Sequence, residues 1–374
     1  MEDEETEREE ISMRSSEIRF PEDEAVHDHI VEWWYFNGHL VDNDGCNYSF
    51  MDCLFRVDVK KVKIPFISRI PLKISYFTHS ILTEHKTKKC VRRIAPFSII
   101  SDDSFSKPTL CANYINPQLK YGYTNCVIEK ISGVGYYIKN EDIELFMESS
   151  KKPLLVGATG YLDLCSKKTY YYSLTNLKTE GRIKIKDKWI NVNGKSWMDH
   201  QWANTCYSKD KWDWFSLQLH DGTDIICFLY DDGINKTYCS DISYPDGRQE
   251  HFDDIELIPM NRRWTSPESK ATYPLDWTIR IPSRNIELIL EAQVEEQEMI
   301  FGSINYWEGP LNVTGEINTS KITGVGFMEL VGYPSRNNNV NHIKEEIGTI
   351  LNRYVFMAKK KTATLIGAFK KTDF

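Results

Sequence analysis

The sequence predicts an all-β protein of two tandem antiparallel β-barrel domains, with a short helix near its C-terminal end. Three observations carry that prediction. Aromatic residues make up 13% of the 374-residue chain, a richness that favours strands. Short alternating apolar and polar runs recur at regular intervals, with polar turns between them. Two hairpins of the same design, each led by a Trp-rich run, lie in different halves of the chain.

The first hairpin is "YFNGHLVDNDGCNYSFMDCLFRVD", in which runs over 33–41 and 47–57 flank the turn residues "DNDG". The second is "WFSLQLHDGTDIICFLYDDG". There a run meets His220-Asp221-Gly222, and the next run ends in Asp231-Asp232-Gly233. This internal similarity places a domain break near residues 185–195. The expected organisation is an acidic disordered tail over 1–20, one domain over 21–190 and a second over 191–374. Two segments break the pattern. "KKVKIPFISRIPLKISYF" (60–77) reads as a loop over a pocket mouth. "NHIKEEIGTILNRYVFMAKKK" (341–361) reads as an amphipathic helix with a basic end.

Composition excludes several classes. A net charge of −8 argues against general nucleic-acid binding. Nine cysteines without C-x-x-C spacing fit neither a zinc framework nor a disulfide scaffold. No long charge-free run reads as a membrane-spanning helix, and "MEDEETEREE" lacks the apolar core of a signal peptide. A cytoplasmic location is expected. The lysines of 60–77 and of the C-terminal helix keep peripheral membrane contact as an alternative.

The stretch "SWMDHQWANT" (196–205) is the densest in chemistry. Strand alternation puts Asp199 and Gln201 on one face, His200 and Trp202 on the other. A hydrogen-bonded core histidine and an active-site base then fit His200 equally well. Phe228, Tyr230 and Asp232 share a face, yet "DDG" is ordinary turn chemistry, and on pattern alone the turn is favoured. In "EWWYFNGHL", Glu32, Trp34 and Phe36 share a face, and Glu32 reads equally as a solvated residue or a buried acid. His27 and His29 form an i, i+2 pair for which the sequence offers no third ligand, so no metal site is expected. Phosphate-binding loops, G-x-S-x-G and H-E-x-x-H are all missing, so no cofactor is expected either.

Five motifs in order, "EWWYFNGHL", "SWMDHQW", "WDWFSLQLHDG", "YWEGPLNVTG" and "GVGFMELVGY", resemble the AttH/carotenoid 1,2-hydratase family. The resemblance runs from about residue 27 to 335 and implies two lipocalin-like barrels in tandem. It implies cofactor-independent addition of water to a trisubstituted double bond of a long isoprenoid, a carotenoid or the prenyl chain of a membrane lipid, giving a tertiary alcohol. The His-x-Trp signature of the hydratase branch falls on His200 and Trp202, and its Tyr-x-Asp signature on Tyr230 and Asp232. The resemblance thus turns Asp232 into the first candidate proton donor, with Asp199 second. Such an acid has to be held protonated against a weakly basic alkene. His200 or Tyr230 would position water, Trp202 and Trp214 would shield the cation, and Trp34, Trp197 and Phe228 with Trp214 would line the substrate site. The alternatives are a cofactor-free cyclase, like the related fungal Diels–Alderases, and a non-catalytic lipid carrier.

Overall fold

The computed structural model describes residues 17–62, 73–107, 109–118, 122–133, 135–207, 210–301 and 304–333. The helix expected at 341–361 and most of the acidic tail lie outside the described residues, as does 63–72 of the expected loop. The end of that loop, from Ile74, is already strand.

The first sheet is built from β1 (Val31–Asp42), β2 (Asn47–Asp58), β3 (Ile74–Glu84), β4 (Lys89–Ile100), β5 (Cys111–Gln118), β6 (Gly122–Ser132), β7 (Gly135–Lys139) and β8 (Ile143–Ser149). It continues through β9 (Leu154–Leu155), β10 (Tyr161–Leu164), β11 (Lys167–Ile185) and β12 (Lys188–Ala203). Pairing of β11 with β8 closes this sheet into a barrel, with β9 and β10 joined to β11 outside the ring. The second sheet holds β13 (Lys211–Leu219), β14 (Asp224–Asp231), β15 (Lys236–Ser243), β16 (Gln249–Phe252) and β17 (Glu256–Pro259). After the small β18 (Arg263–Thr265) and β19 (Thr272–Pro274) ribbon come β20 (Asp276–Ile281), β21 (Ile286–Ala292), β22 (Glu298–Phe301), β23 (Ile304–Ile317) and β24 (Ser320–Val331).

Among the described residues all strand pairs are antiparallel, and the fold is all-β, as predicted. Both expected hairpins form, β1–β2 and β13–β14. Two features differ from expectation. The second sheet does not close. Its edges are β16 and β17, four residues each, and they do not pair with one another, so the sheet curls as an open half-barrel. The expected break at 190 also falls inside the first sheet, because β12 pairs with β1 and β11 along its length. Lys186 and Asp187 adopt left-handed φ values of 49° and 65°. They make a tight two-residue hairpin turn, which local sequence cannot distinguish from a boundary. The chain passes between sheets after Ala203 and before Lys211.

Alternation decides the packing. Trp34, Phe36, Phe50, Leu54, Tyr172, Met198 and Trp202 fill the barrel. On the opposite faces of the same strands, Tyr35, Met51, Cys53, Tyr171 and Trp197 meet Trp214, Ile226, Phe228, Tyr306 and Phe327 of the second sheet. Strands β1, β2, β11 and β12 are therefore buried on both sides, which is why "EWWYF" shows no apolar–polar alternation. Backbones approach closely between β1 and β12. A Cβ on Gly194 would lie 2.0 Å from the His39 carbonyl oxygen.

One acid inside the barrel carries a stability prediction. Asp52 is buried, accepts from Asn140 Nδ2 at 2.8 Å, and its Oδ2 has no partner among the described residues. Burial pushes its carboxyl up to about 7. Between the unfolded carboxyl value and about 7 the folded protein binds the extra proton, so stability falls as pH rises through that window. Asp52→Asn is expected to match the parent near pH 4 and to exceed it by roughly 1–4 kcal/mol above pH 7. Thermal melts across that pH range check this; a variant less stable than the parent at pH 8 overturns it.

Candidate functional site

Strand β12 divides the chemistry. Asp199 faces the layer between the sheets, and His200 faces the barrel interior, as alternation predicts.

In the inter-sheet layer, Asp199 Oδ1 accepts from Trp197 Nε1 at 2.6 Å and Ser173 Oγ at 2.5 Å. Tyr171 donates its hydroxyl to Oδ2 at 2.6 Å and accepts from Trp214 Nε1 at 2.9 Å. Burial pushes the Asp199 carboxyl up to about 7, against these three hydrogen bonds, and the charge of Glu329 adds to the rise. Across the layer, Glu308 of β23 and Glu329 of β24 stand opposite each other in register. Burial raises both, and for Glu308 the Glu329 and Asp199 charges add to the effect. Tyr35 donates to Glu308 Oε1 at 2.7 Å, and Trp212 Nε1 donates to Glu329 at 2.7 Å. Burial also holds the Tyr35, Tyr171 and Tyr306 phenols well above their usual value, so they stay protonated. The result is three coupled carboxyl groups in an aromatic wall, a setting that keeps acids neutral and able to donate protons.

A second polar centre lies on the barrel side of β12, where that strand pairs with the start of β1. His200 Nε2 lies 2.9 Å from Glu32 Oε1, and its Nδ1 lies 3.3 Å from the Tyr172 hydroxyl. His27, from the segment before β1, places Nδ1 2.8 Å from the same Glu32 oxygen. Burial pushes Glu32 up, yet the hydrogen bonds to His200 and His27 outweigh it and leave the carboxyl lowered. Burial lowers His200 despite Glu32, favouring the neutral ring. Glu32 is thus the buried acid of the two alternatives left open above.

The predicted site residues divide among three places. His200, Trp202 and Trp34 converge in the barrel, where Trp34 stacks on His200 at 5.0 Å. Asp199, Trp197, Trp214, Phe228 and Tyr230 converge in the inter-sheet layer. Asp232 joins neither. It sits past the end of β14, partly exposed, and its Oδ1 accepts from the backbone N–H groups of Ile234 and Asn235. Those bonds hold its carboxyl below the usual range, so the first-choice proton donor is an ionised turn residue. Tyr230 is no free partner for it: its hydroxyl is committed to Asp210. The turn chemistry of "DDG" decides this position. Asp232→Asn is expected to leave any turnover within about twofold of the parent, since substitutions in a turn away from the buried clusters act weakly; a larger loss in steady-state assays overturns this placement.

Sequence reasoning missed Glu308, Glu329, Tyr171 and Tyr35. A signal existed for Glu329: it lies between Phe327 and Val331 at strand spacing, an acid on an apolar face. Glu308 lies inside "YWEGPLNVTG" and alternates with Tyr306 in the same way.

The fold and the site define a tandem lipocalin-like protein with an acid-bearing aromatic layer between its two sheets. The chain belongs to the AttH-like family, which it matches over residues 12–333. It is similar to the dehydratase asqC of Emericella nidulans, 22% identical over 206 residues. That match covers 51% of this chain and only 58% of the relative's length. The AttH-type protein of Nitrosomonas europaea superposes with a TM-score of 0.66 at 22% identity, over 85% of this chain and 98% of that one. Kievitone hydratase from Nectria haematococca superposes with a TM-score of 0.64 at 16% identity, over 86% of this chain and 95% of that one. At these identities the structural likeness is one of fold.

Proposed function

We propose that the protein is a hydro-lyase that adds water to, or removes it from, a carbon–carbon double bond of an apolar substrate held between the two sheets. The observation that carries this reading is Asp199, a fully buried carboxyl poised near pH 7 in an aromatic layer beside two further raised acids. The names of two similar proteins, a dehydratase and a hydratase, describe the two directions of one reaction and support it. In the hydration direction Asp199 transfers its proton to the less substituted alkene carbon. Water adds to the resulting cation, and the water's surplus proton passes to a carboxylate of the layer. The faces of Trp214, Trp197 and Phe228 favour the cation by about 0.5–2 kcal/mol each. The substrate class proposed is a long isoprenoid, on the strength of the five motifs and of the aromatic composition of the layer.

Incubation with geranylgeranyl-type substrates and carotenoids in ¹⁸O-water, followed by mass spectrometry, tests the reading. A product heavier by one labelled water is expected. An isomer of unchanged mass would point to a cyclase, and a tightly held, unaltered lipid to a carrier; either result, with no hydrated product, overturns the proposal.

A further inference from the structure

The fold joins His27 to two partners that the sequence sets apart from it, Glu32 and His200, while His29 takes no part in the group. His27 Nδ1 and His200 Nε2 approach the same oxygen, Glu32 Oε1, at 2.8 and 2.9 Å. All three atoms lie within 4.8 Å of one another. Arg56 Nη1 stands 4.0 Å from the other carboxylate oxygen, Oε2, and the His27 backbone N–H reaches both oxygens, at 3.1 Å from Oε1 and 3.0 Å from Oε2. Stacking fixes both rings: Trp202 lies 3.9 Å from His27 at an interplanar angle of 3°, and Trp34 covers His200.

Proton counting exposes a conflict at His27. Its Nδ1 faces Glu32, and its Nε2 faces Asp23 Oδ1 at 3.1 Å. A neutral imidazole donates from one nitrogen only. One of the two contacts of a neutral ring then sets a lone pair against a carboxylate oxygen, a mismatch that a cation held between the ligand atoms removes. With a cation bound by Nδ1, the Nε2–H donates to Asp23. His200, bound by Nε2, turns Nδ1 toward the Tyr172 hydroxyl at 3.3 Å. Each imidazole thereby has an outer oxygen at its far nitrogen, the arrangement that orients metal-binding histidines.

We propose that His27, Glu32 and His200 form a binding site for a divalent transition-metal ion. Two imidazoles and one carboxylate suit Zn²⁺, Fe²⁺ or Co²⁺ better than the all-oxygen preference of Mg²⁺ or Ca²⁺. Ligand atoms in a tetrahedral set at about 2.0 Å lie about 3.3 Å apart, so small ring rotations open the present contacts enough. Three protein ligands leave a further coordination position. The site lies on the opposite face of β12 from Asp199 and stands independently of the hydro-lyase reading.

Calorimetric titration of the chelator-treated full chain with Zn²⁺ tests the proposal. One ion per chain is expected, with a Kd of about 1 µM or tighter and a melting temperature that rises with free Zn²⁺. His27 belongs to the partly buried covering segment, so His27→Gln removes a ligand without emptying the barrel core. It is expected to weaken binding at least about 100-fold, and Asp23→Asn about 10-fold. His251→Gln, which disrupts a separate Cys239–Asp241–His251 group, is expected to leave the affinity unchanged. Failure to saturate at about 100 µM Zn²⁺ would overturn the proposal. So would binding that survives His27→Gln unaltered or is lost in His251→Gln.

Discussion

Asn in place of Asp199 is expected to lower kcat for hydration by about 10²–10⁴-fold, the usual worth of a positioned general acid. The substitution is close to isosteric. The amide oxygen can still accept from Trp197 and Ser173, and the Tyr171 hydroxyl, which already accepts from Trp214, can turn to accept from the amide N–H. The fold and the aromatic wall therefore persist, and KM is expected to change little. What disappears is the transferable proton. The pH profile gives a second readout. A donor near pH 7 must be protonated to act, so the parent's kcat/KM is expected to fall as pH rises through about 7. The variant loses that limb. Retention of more than a tenth of the parent's kcat, with the limb intact, would remove Asp199 from the chemistry and direct attention to Glu308 and Glu329.

Lys151→Met is expected to cost about 3–5 kcal/mol, the penalty for leaving a buried charge without its partner. Lys151 stands between β8 and β9 of the first sheet, and its Nζ reaches groups at the second. It donates to Asp224 Oδ2 at 2.7 Å, to the Gly222 carbonyl at 2.6 Å and to the Ser243 carbonyl at 3.0 Å. Asp224 is fully buried and also accepts from Thr175 Oγ1 of the first sheet at 2.8 Å. Burial pushes Asp224 up even with the lysine in place, so without it the carboxylate has little left to offset desolvation. The cost is expected to be largest at alkaline pH and to shrink toward pH 4, where Asp224 in the variant is neutral. Adding Asp224→Asn removes the orphaned charge and is expected to recover most of the loss. Urea unfolding at pH 8 reads all three proteins; a loss under about 1 kcal/mol for Lys151→Met would show that the clamp does not hold the two sheets together.

Much of the fold is legible locally. The hairpins β1–β2 and β13–β14 announce themselves through alternating runs around "DNDG" and "HDG". The opposite orientation of Asp199 and His200 follows from the two-residue period of any strand. The turn role of Asp232 was legible too: its own "DDG" context states it, and the family signature pointed elsewhere. The site was legible only in part. Aromatic and histidine signals singled out Trp34, Trp197, Trp202, Trp214 and His200, which the fold gathers into two buried clusters, while Glu308 and Glu329 passed as ordinary strand acids.

The sequence by itself determined what each strand presents on each face, because side-chain alternation is a property of the backbone over a few residues. Only the tertiary structure decided what each face meets. It set Glu32 against His200, 168 residues along the chain, and Tyr35 against Glu308, 273 residues along. It closed the first sheet through β8 and β11 and left the second open. A carboxyl's burial, and with it its readiness to hold or give a proton, depends on the elements packed across from it, and strand periodicity carries no record of those.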